Sequence, residues 1–239
     1  MCYNSGMSSK KRGADAVQRT FEELLRKRRK GGGRQKSPNS GVSHLKRPEL
    51  KERHPVHTTL KLLDGLPSLR GRRQTLVVLD ALRRACRGTA REPGGLHVCH
   101  YSIQDDHAHL IVEAQDNETL ARGIQGLSIR LAKGLNKLWG RRGKVFADRH
   151  HTHVLETPTE VRNALAYLFR NWKKHGVERE ENGLPDELSS GRWFEGWKDY
   201  VACSMSKALG SSPIAEARTW LLRIGWSRAG PLVLVELHA

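Results

Sequence analysis

Two short β-branched runs constrain this chain more than any other feature. LHVCHYSI (96–103) and HAHLIVEA (107–114) are separated only by the polar turn Gln104-Asp105-Asp106. Strand-like runs that close in sequence pair as an antiparallel hairpin. Alternation then puts His107, His109, Ile111 and Glu113 on one face of the second strand and Leu110 and Val112 on the other. Two imidazoles therefore project the same way from a rigid element, which suits a shared metal ion as well as a polar strand end.

The flanking sequence supplies the rest of a sheet and its cover. PVHTTLKLL (55–63) reads as a strand, and Pro67 and Gly71 lead into a helix over TLVVLDALRRACRG, with Leu76, Leu79 and Leu82 at helical spacing and Gly88 as its stop. NETLARGIQGLSIRLAKGLNKLWG is a long amphipathic helix opened by Asn117 and closed near Gly140. Its apolar side carries Leu120, Ile124, Leu127, Leu131, Leu135 and Leu138. RRGKVFADRHHTHVLET (141–157) supplies a fourth strand. Thr157-Pro158-Thr159-Glu160 is a capping box with proline at the first helical position, and the helix it starts has Val161, Leu165, Leu168 and Trp172 as its buried stripe. The order β-α-β-β-α-β-α contains the split βαβ arrangement. The expected fold class is therefore α+β, a ferredoxin-like antiparallel sheet with helices packed on one face.

Charge divides the chain. Lys and Arg number 42 against 25 Asp and Glu, a net +17. Residues 1–53 hold 15 of those cations and 5 of the acids, with few large apolar residues beyond Phe21, Leu24 and Leu25. Such a segment cannot bury enough surface to offset its ordering entropy, so a flexible basic arm is expected, with a short helix over 17–30 compatible with its pattern. It is either a solvated tail or an arm that tracks phosphates. The expected domains are this arm (1–53), a core domain (54–176) and a C-terminal extension (177–239) with a loop and a small Ser/Pro-capped helix in SSPIAEARTWLLRIGW. A chain this basic faces a polyanion, most often nucleic acid. No apolar run approaches a membrane span and no signal-type segment is present, so no membrane partner and a cytoplasmic, nucleoid-associated location are expected. The cysteines Cys2, Cys86, Cys99 and Cys203 show no C-x-x-C pairing and read as reduced thiols. His97, Cys99 and His100 lack a second ligand pair at zinc-finger spacing.

On the last core helix Tyr167 lies roughly 120° from the centre of the apolar stripe, with Asn171 one turn on. Its hydroxyl either covers the core edge or points into a cleft. Together, H-x-H on a strand, the basic segment G-x-x-F-x-x-R, and Y-x-x-x-N-x-x-x-H-G on a capped helix resemble the single-tyrosine HUH transposases, in particular their REP-associated tyrosine transposase branch. The resemblance runs over roughly residues 54–176. It implies a metal-dependent single-stranded DNA endonuclease and strand transferase acting at hairpins in DNA transposition. It makes His107 and His109 metal ligands, Tyr167 the nucleophile, and Asn171 a third ligand or metal-proximal group. The implied product is a 5′-phosphotyrosine with a free 3′-OH. A phenol of ordinary pKa is only about one part in a thousand ionised at neutral pH, so a divalent cation, Mg2+ or Mn2+, suits the attack.

Phosphate contacts are expected from Arg141, Arg142, Lys144 and Arg149, and from Arg122, Arg130, Lys133 and Lys137, which share a stripe roughly 80° wide on the long helix. His150, His151 and His153 read as DNA contacts or plain surface, with one of them close to the metal as the lesser alternative, and His57 as a polar residue on the sheet face, near the site. Trp193, Trp197, Trp220 and Trp226 either pack back on the domain or stack on bases. Single-stranded DNA hairpins are the expected partner, and homodimer and monomer are both compatible with the sequence. Two other functions stay open: a domesticated, non-cleaving single-stranded nucleic-acid binder, and an H-x-H hydrolase of small phosphoesters. The hydrolase would need neither Tyr167 nor the charge.

Overall fold

A computed structural model describes residues 49–91, 95–147, 150–170, 185–198 and 212–233. The basic arm to residue 48, Arg149, Asn171 and Trp172 lie outside the described residues, as do the stretches 171–184 and 199–211. The elements are β1 (Val56–Lys61), α1 (Arg72–Arg91), β2 (His97–Ile103), β3 (His107–Glu113), α2 (Asn117–Leu138), β4 (His151–Val154) and α3 (Pro158–Arg170). A 3-10 turn (Ser190–Trp193), a short helix α4 (Trp220–Arg223) and a second 3-10 turn (Gly225–Ala229) follow.

The four strands form one antiparallel sheet in the order β2-β3-β1-β4, the ferredoxin-like arrangement expected from the sequence. Its α1/α2 face is built from Val56, Leu60, Val98, Tyr101, Ile103, Leu110 and Val112. These residues join Val78, Ala81 and Leu82 of α1 and the Leu120–Leu135 stripe of α2 in one core. A bulge between Val98 and His100 lets Val98 and Tyr101, three residues apart, face that same core.

The two crossover helices pack on one face, whereas α3 lies over the opposite face, on β2 and β3. That face carries Ile111 and several buried polar groups and could not stay bare. Phe169 of α3 meets Phe194 and Trp197, and Phe194 meets Trp226, in a second aromatic layer. The described C-terminal residues thus pack with α3 over the same sheet. Ile103 donates its N–H to the Leu188 carbonyl and Ala215 donates to Val98, so the edge of β2 is covered at both ends.

Several boundaries differ from expectation for local reasons. In α1 the buried positions are Thr75, Val78, Ala81 and Leu82, while Leu76 is exposed, and the helix runs past Gly88 to Arg91. A single glycine costs a helix interior only about 1 kcal/mol. α2 does open at Asn117, with Asp116 before it as the cap, accepting from the Thr119 N–H at 2.7 Å. Beyond α2 the chain turns through Gly140 and Gly143, both at positive φ, so the expected fourth strand shrinks to residues 151–154 plus a bridge between Leu62 and Phe146. The capping box forms as read: Glu160 N–H donates to Thr157 Oγ1 at 3.2 Å, and Thr157 N–H donates to Glu160 Oε2 at 3.2 Å. The last helix shortens to four residues capped by Thr219, because 214–216 is drawn out along β2.

Candidate active site

Strand register assembles the site. Directly paired residues project on one face, so the pairs Lys61 with His107, Thr59 with His109, Thr59 with His151, and His57 with His153 put all seven side chains on the face beneath α3. His107 and His109 stand with ring centroids 4.6 Å apart at 83° to one another.

Tyr167, half-buried on α3, turns its hydroxyl to within 3.5 Å of His109 Nε2. Its ring meets that of His109 edge-on, with centroids 5.1 Å apart. The helix therefore delivers the tyrosine to the second histidine of the pair. This contact decides between the core-edge and the cleft orientation left open by the sequence: the phenol points into the histidine cluster.

Each histidine of the pair is also held by its other nitrogen. His107 Nδ1–H donates to Asp106 Oδ1 at 2.6 Å. Burial alone would raise the Asp106 carboxyl, but the hydrogen bond and charge of His107 hold it below the usual carboxylate range. His109 Nδ1 lies 3.0 Å from Thr59 Oγ1 and 3.2 Å from His57 Nε2. Burial, reinforced by the charges of His153, His107 and His151, pushes His57 down to about 3, so it stays neutral. A neutral His57 can present a lone pair to the Nδ1 proton of His109.

This arrangement fits a metal ion. Holding an imidazole by Nδ1 fixes the ring and leaves Nε2 as the nitrogen that could coordinate an ion. Among the described residues no three His, Cys, Asp or Glu side chains are grouped to hold an ion. A third protein ligand would have to be of another type or come from elsewhere, and Asn171 lies outside the described residues. His97, Cys99 and His100 form no zinc site: Cys99 Sγ donates to the His97 carbonyl, and His100 bonds Ser190 Oγ.

Thr59 and Asp106 carried no assigned role in the sequence, and His57 only a place on the sheet face near the site. His57 and Thr59 sit two apart in VHTTL, an alternation that mirrors H-x-H and is the signal that could have found them. Asp106 precedes His107 directly. His153 joins the face by its pairing with His57.

The basic residues are distributed differently. Arg122, Arg130, Lys133 and Lys137 are exposed on α2, whose buried stripe meets the sheet face opposite to His109. They lie across the sheet from Tyr167. Glu118 sits beside the stripe and pairs with Arg122 at 3.7 Å, so this face is not purely basic. Arg141 donates to the Lys144 carbonyl and Lys144 to the Ala147 carbonyl, so both shape the turn after α2. Arg142 is exposed in that turn. Of the four tryptophans, Trp197 and Trp226 are buried, Trp193 packs against the core, and Trp220 is exposed. Among the described residues no helix is long and apolar enough to cross a membrane.

No protein-family model matches the chain, and no curated protein matches it in sequence. Among solved structures, it is similar to a REP-associated tyrosine transposase bound to a REP hairpin, with TM-score 0.44 and 16% identity, over 74% of this chain and 93% of that one. It is also similar to a bacterial tRNA(His) guanylyltransferase-like protein in complex with GTP, with TM-score 0.38 and 14% identity, over 54% of this chain and 66% of that one. The same type of protein in complex with ATP gives TM-score 0.36 and 13% identity, over 53% of this chain and 63% of that one.

Proposed function

We propose that the chain is a single-tyrosine HUH-type nuclease and transposase that cuts and rejoins single-stranded DNA. The observation that carries this reading is the Tyr167 hydroxyl lying 3.5 Å from His109 Nε2, beside His107. An H-x-H pair serving a small-phosphoester hydrolase would have no use for a tyrosine delivered to it by a separate helix.

In this reading His107 and His109 would hold Mg2+ or Mn2+ through Nε2, with Asn171 the third protein ligand by sequence resemblance. When bound, the ion neutralises phosphate charge and orients the scissile group. Tyr167 Oη attacks phosphorus in line; the bond from phosphorus to the 3′-oxygen breaks as the tyrosine ester forms. The phenolic proton leaves to solvent and the departing 3′-oxygen takes one up. The phosphodiester energy is conserved in the tyrosine ester, so a second 3′-OH can reverse the step and join a new strand. Thr59, His57 and Asp106 hold the two imidazoles in orientation throughout. Arg142, and Arg141 and Lys144 where they leave their turn carbonyls, supply phosphate contacts after α2, and Arg149 is assigned the same role from the sequence alone. The α2 stripe is left for a distal part of a longer substrate.

The test is incubation with single-stranded hairpins from the flanks of its own gene, with Mn2+ or Mg2+, resolved on a denaturing gel. A protein–DNA adduct that needs metal and is lost in Tyr167→Phe and His107→Ala is the expected result. Tight binding with no adduct under any metal would instead establish the non-cleaving nucleic-acid binder.

A further inference from the structure

The described C-terminal segment is fastened to both elements that carry the candidate site. Glu113, at the end of β3, accepts from Arg218 N–H at 2.7 Å, Thr219 N–H at 3.0 Å and Thr219 Oγ1–H at 2.7 Å. Arg162 of α3 donates to the Gly230 and Pro231 carbonyls at 3.3 and 2.8 Å. Between these anchors the chain alternates: Leu221, Leu222, Gly225 and Trp226 are buried, while Trp220, Arg223, Ile224, Ser227 and Arg228 are exposed.

The exposed side is unusual in composition. Trp220 is 45% and Ile224 59% exposed, although Trp226, six residues on, packs inward. The Arg228 guanidinium lies over the Trp220 ring, 4.7 Å from its centroid. The other constraint on the indole is Gly225, where an added Cβ would come 2.7 Å from Trp220 Cζ3. The ring is thus fixed in place without being covered. Across 212–233 the cations Arg218, Arg223 and Arg228 face a lone acid, Glu216.

We propose that Trp220, Ile224, Arg223 and Arg228 form a docking surface for single-stranded nucleic acid, with an unpaired base stacking on the Trp220–Arg228 pair. The charge excess suits a phosphate backbone, and an indole backed by a guanidinium suits any base face. A second copy of this chain would present the same arginines to one another, which disfavours self-association here. The inference rests on the partner being single-stranded DNA and not on the tyrosine chemistry.

The experiment uses the full chain and a fluorescein-labelled oligo(dT) of about twenty nucleotides, titrated by anisotropy across a salt series, with a duplex of the same length as control. Trp220→Ala is expected to weaken oligo(dT) binding about fivefold to a hundredfold, Trp220→Phe to restore most of it, and duplex binding to stay unchanged. Arg228→Gln should lower the salt slope by about 0.7. Thermal melting of each variant checks folding. Unchanged oligo(dT) affinity in a folded Trp220→Ala variant overturns the proposal. So does a change confined to sedimentation behaviour, which would mark a face between copies. If no Tyr167 adduct ever forms but Trp220→Ala still weakens oligo(dT) binding, this inference stands and the nuclease reading falls. The reverse pattern removes this inference alone.

Discussion

Thr59 and His109 are direct partners across the β1–β3 ladder, and the threonine hydroxyl lies 3.0 Å from the imidazole Nδ1. The ring is held from a neighbouring strand, not from its own, so its orientation depends on sheet register.

Loss of that hold should be read in metal binding. Thr59→Val keeps the side-chain shape and removes the hydroxyl. Mn2+ affinity, followed by calorimetry, is expected to fall about tenfold to a hundredfold, the usual cost of deleting an outer-shell partner. Asp106→Asn should act in the same direction through His107. Unchanged affinity in both variants would remove the metal assignment from this pair.

Acid should destabilise the fold through His100. Burial pushes His100 down to about 3 from 6.5, and its neighbours are Ser190, Phe169 and Phe194. The unfolded chain therefore binds a proton that the folded chain refuses between those values. Stability rises with pH across that window and is lost as pH falls below about 6.5, by about 1.4 kcal/mol per pH unit for this group. Urea unfolding at a series of pH values should show the slope drop by one proton in His100→Phe.

Two glycines of α2 should respond to alanine with opposite signs. A Cβ at Gly123 would collide with Leu96, whereas one at Gly126 meets only the far end of Arg130 at 3.9 Å. Gly126→Ala should stabilise by about 0.5–1 kcal/mol through helix propensity. Gly123→Ala should destabilise by about 1–3 kcal/mol through overpacking. Equilibrium denaturation of the two variants side by side checks the signs.

Arg70 and Asp186 form a bidentate pair at 3.0 Å on both contacts, and Arg70 also donates to the Ile103 carbonyl at 2.8 Å. The Asp186 side chain is 2% exposed and that of Arg70 15%. Asp186→Ala strands a guanidinium at the sheet end and should cost about 3 kcal/mol, more than Arg70→Met with Asp186→Leu together. Equilibrium denaturation of the single and the double variant side by side measures the difference.

The hairpin, the four strands and the pairing of His107 with His109 were legible because period-2 alternation is a local signal. The capping box was equally legible, since Thr157 and Glu160 satisfy each other within one turn. Tyr167 could be placed on the flank of its helix, but its contact with His109 needed the register between α3 and the sheet. The roles of His57 and His153 depended on strands distant in sequence being paired in one particular offset. Leu76 misled for a related reason: helical spacing fixes a stripe, and only the partner layer decides which stripe is buried.

The triple acceptance by Glu113 has a practical consequence for anyone shortening the chain. A version ended at residue 176, where the core motif stops in sequence, would keep every proposed catalytic group. It would also take from Glu113 the donors of Arg218 and Thr219, and from Phe169 the rings of Phe194 and Trp197 that cover it. Truncation there should yield an aggregating or insoluble product. A swap of C-terminal segments between similar chains succeeds only if the incoming segment carries a donor pair at the same place, so the seam in the sequence is not a seam in the molecule.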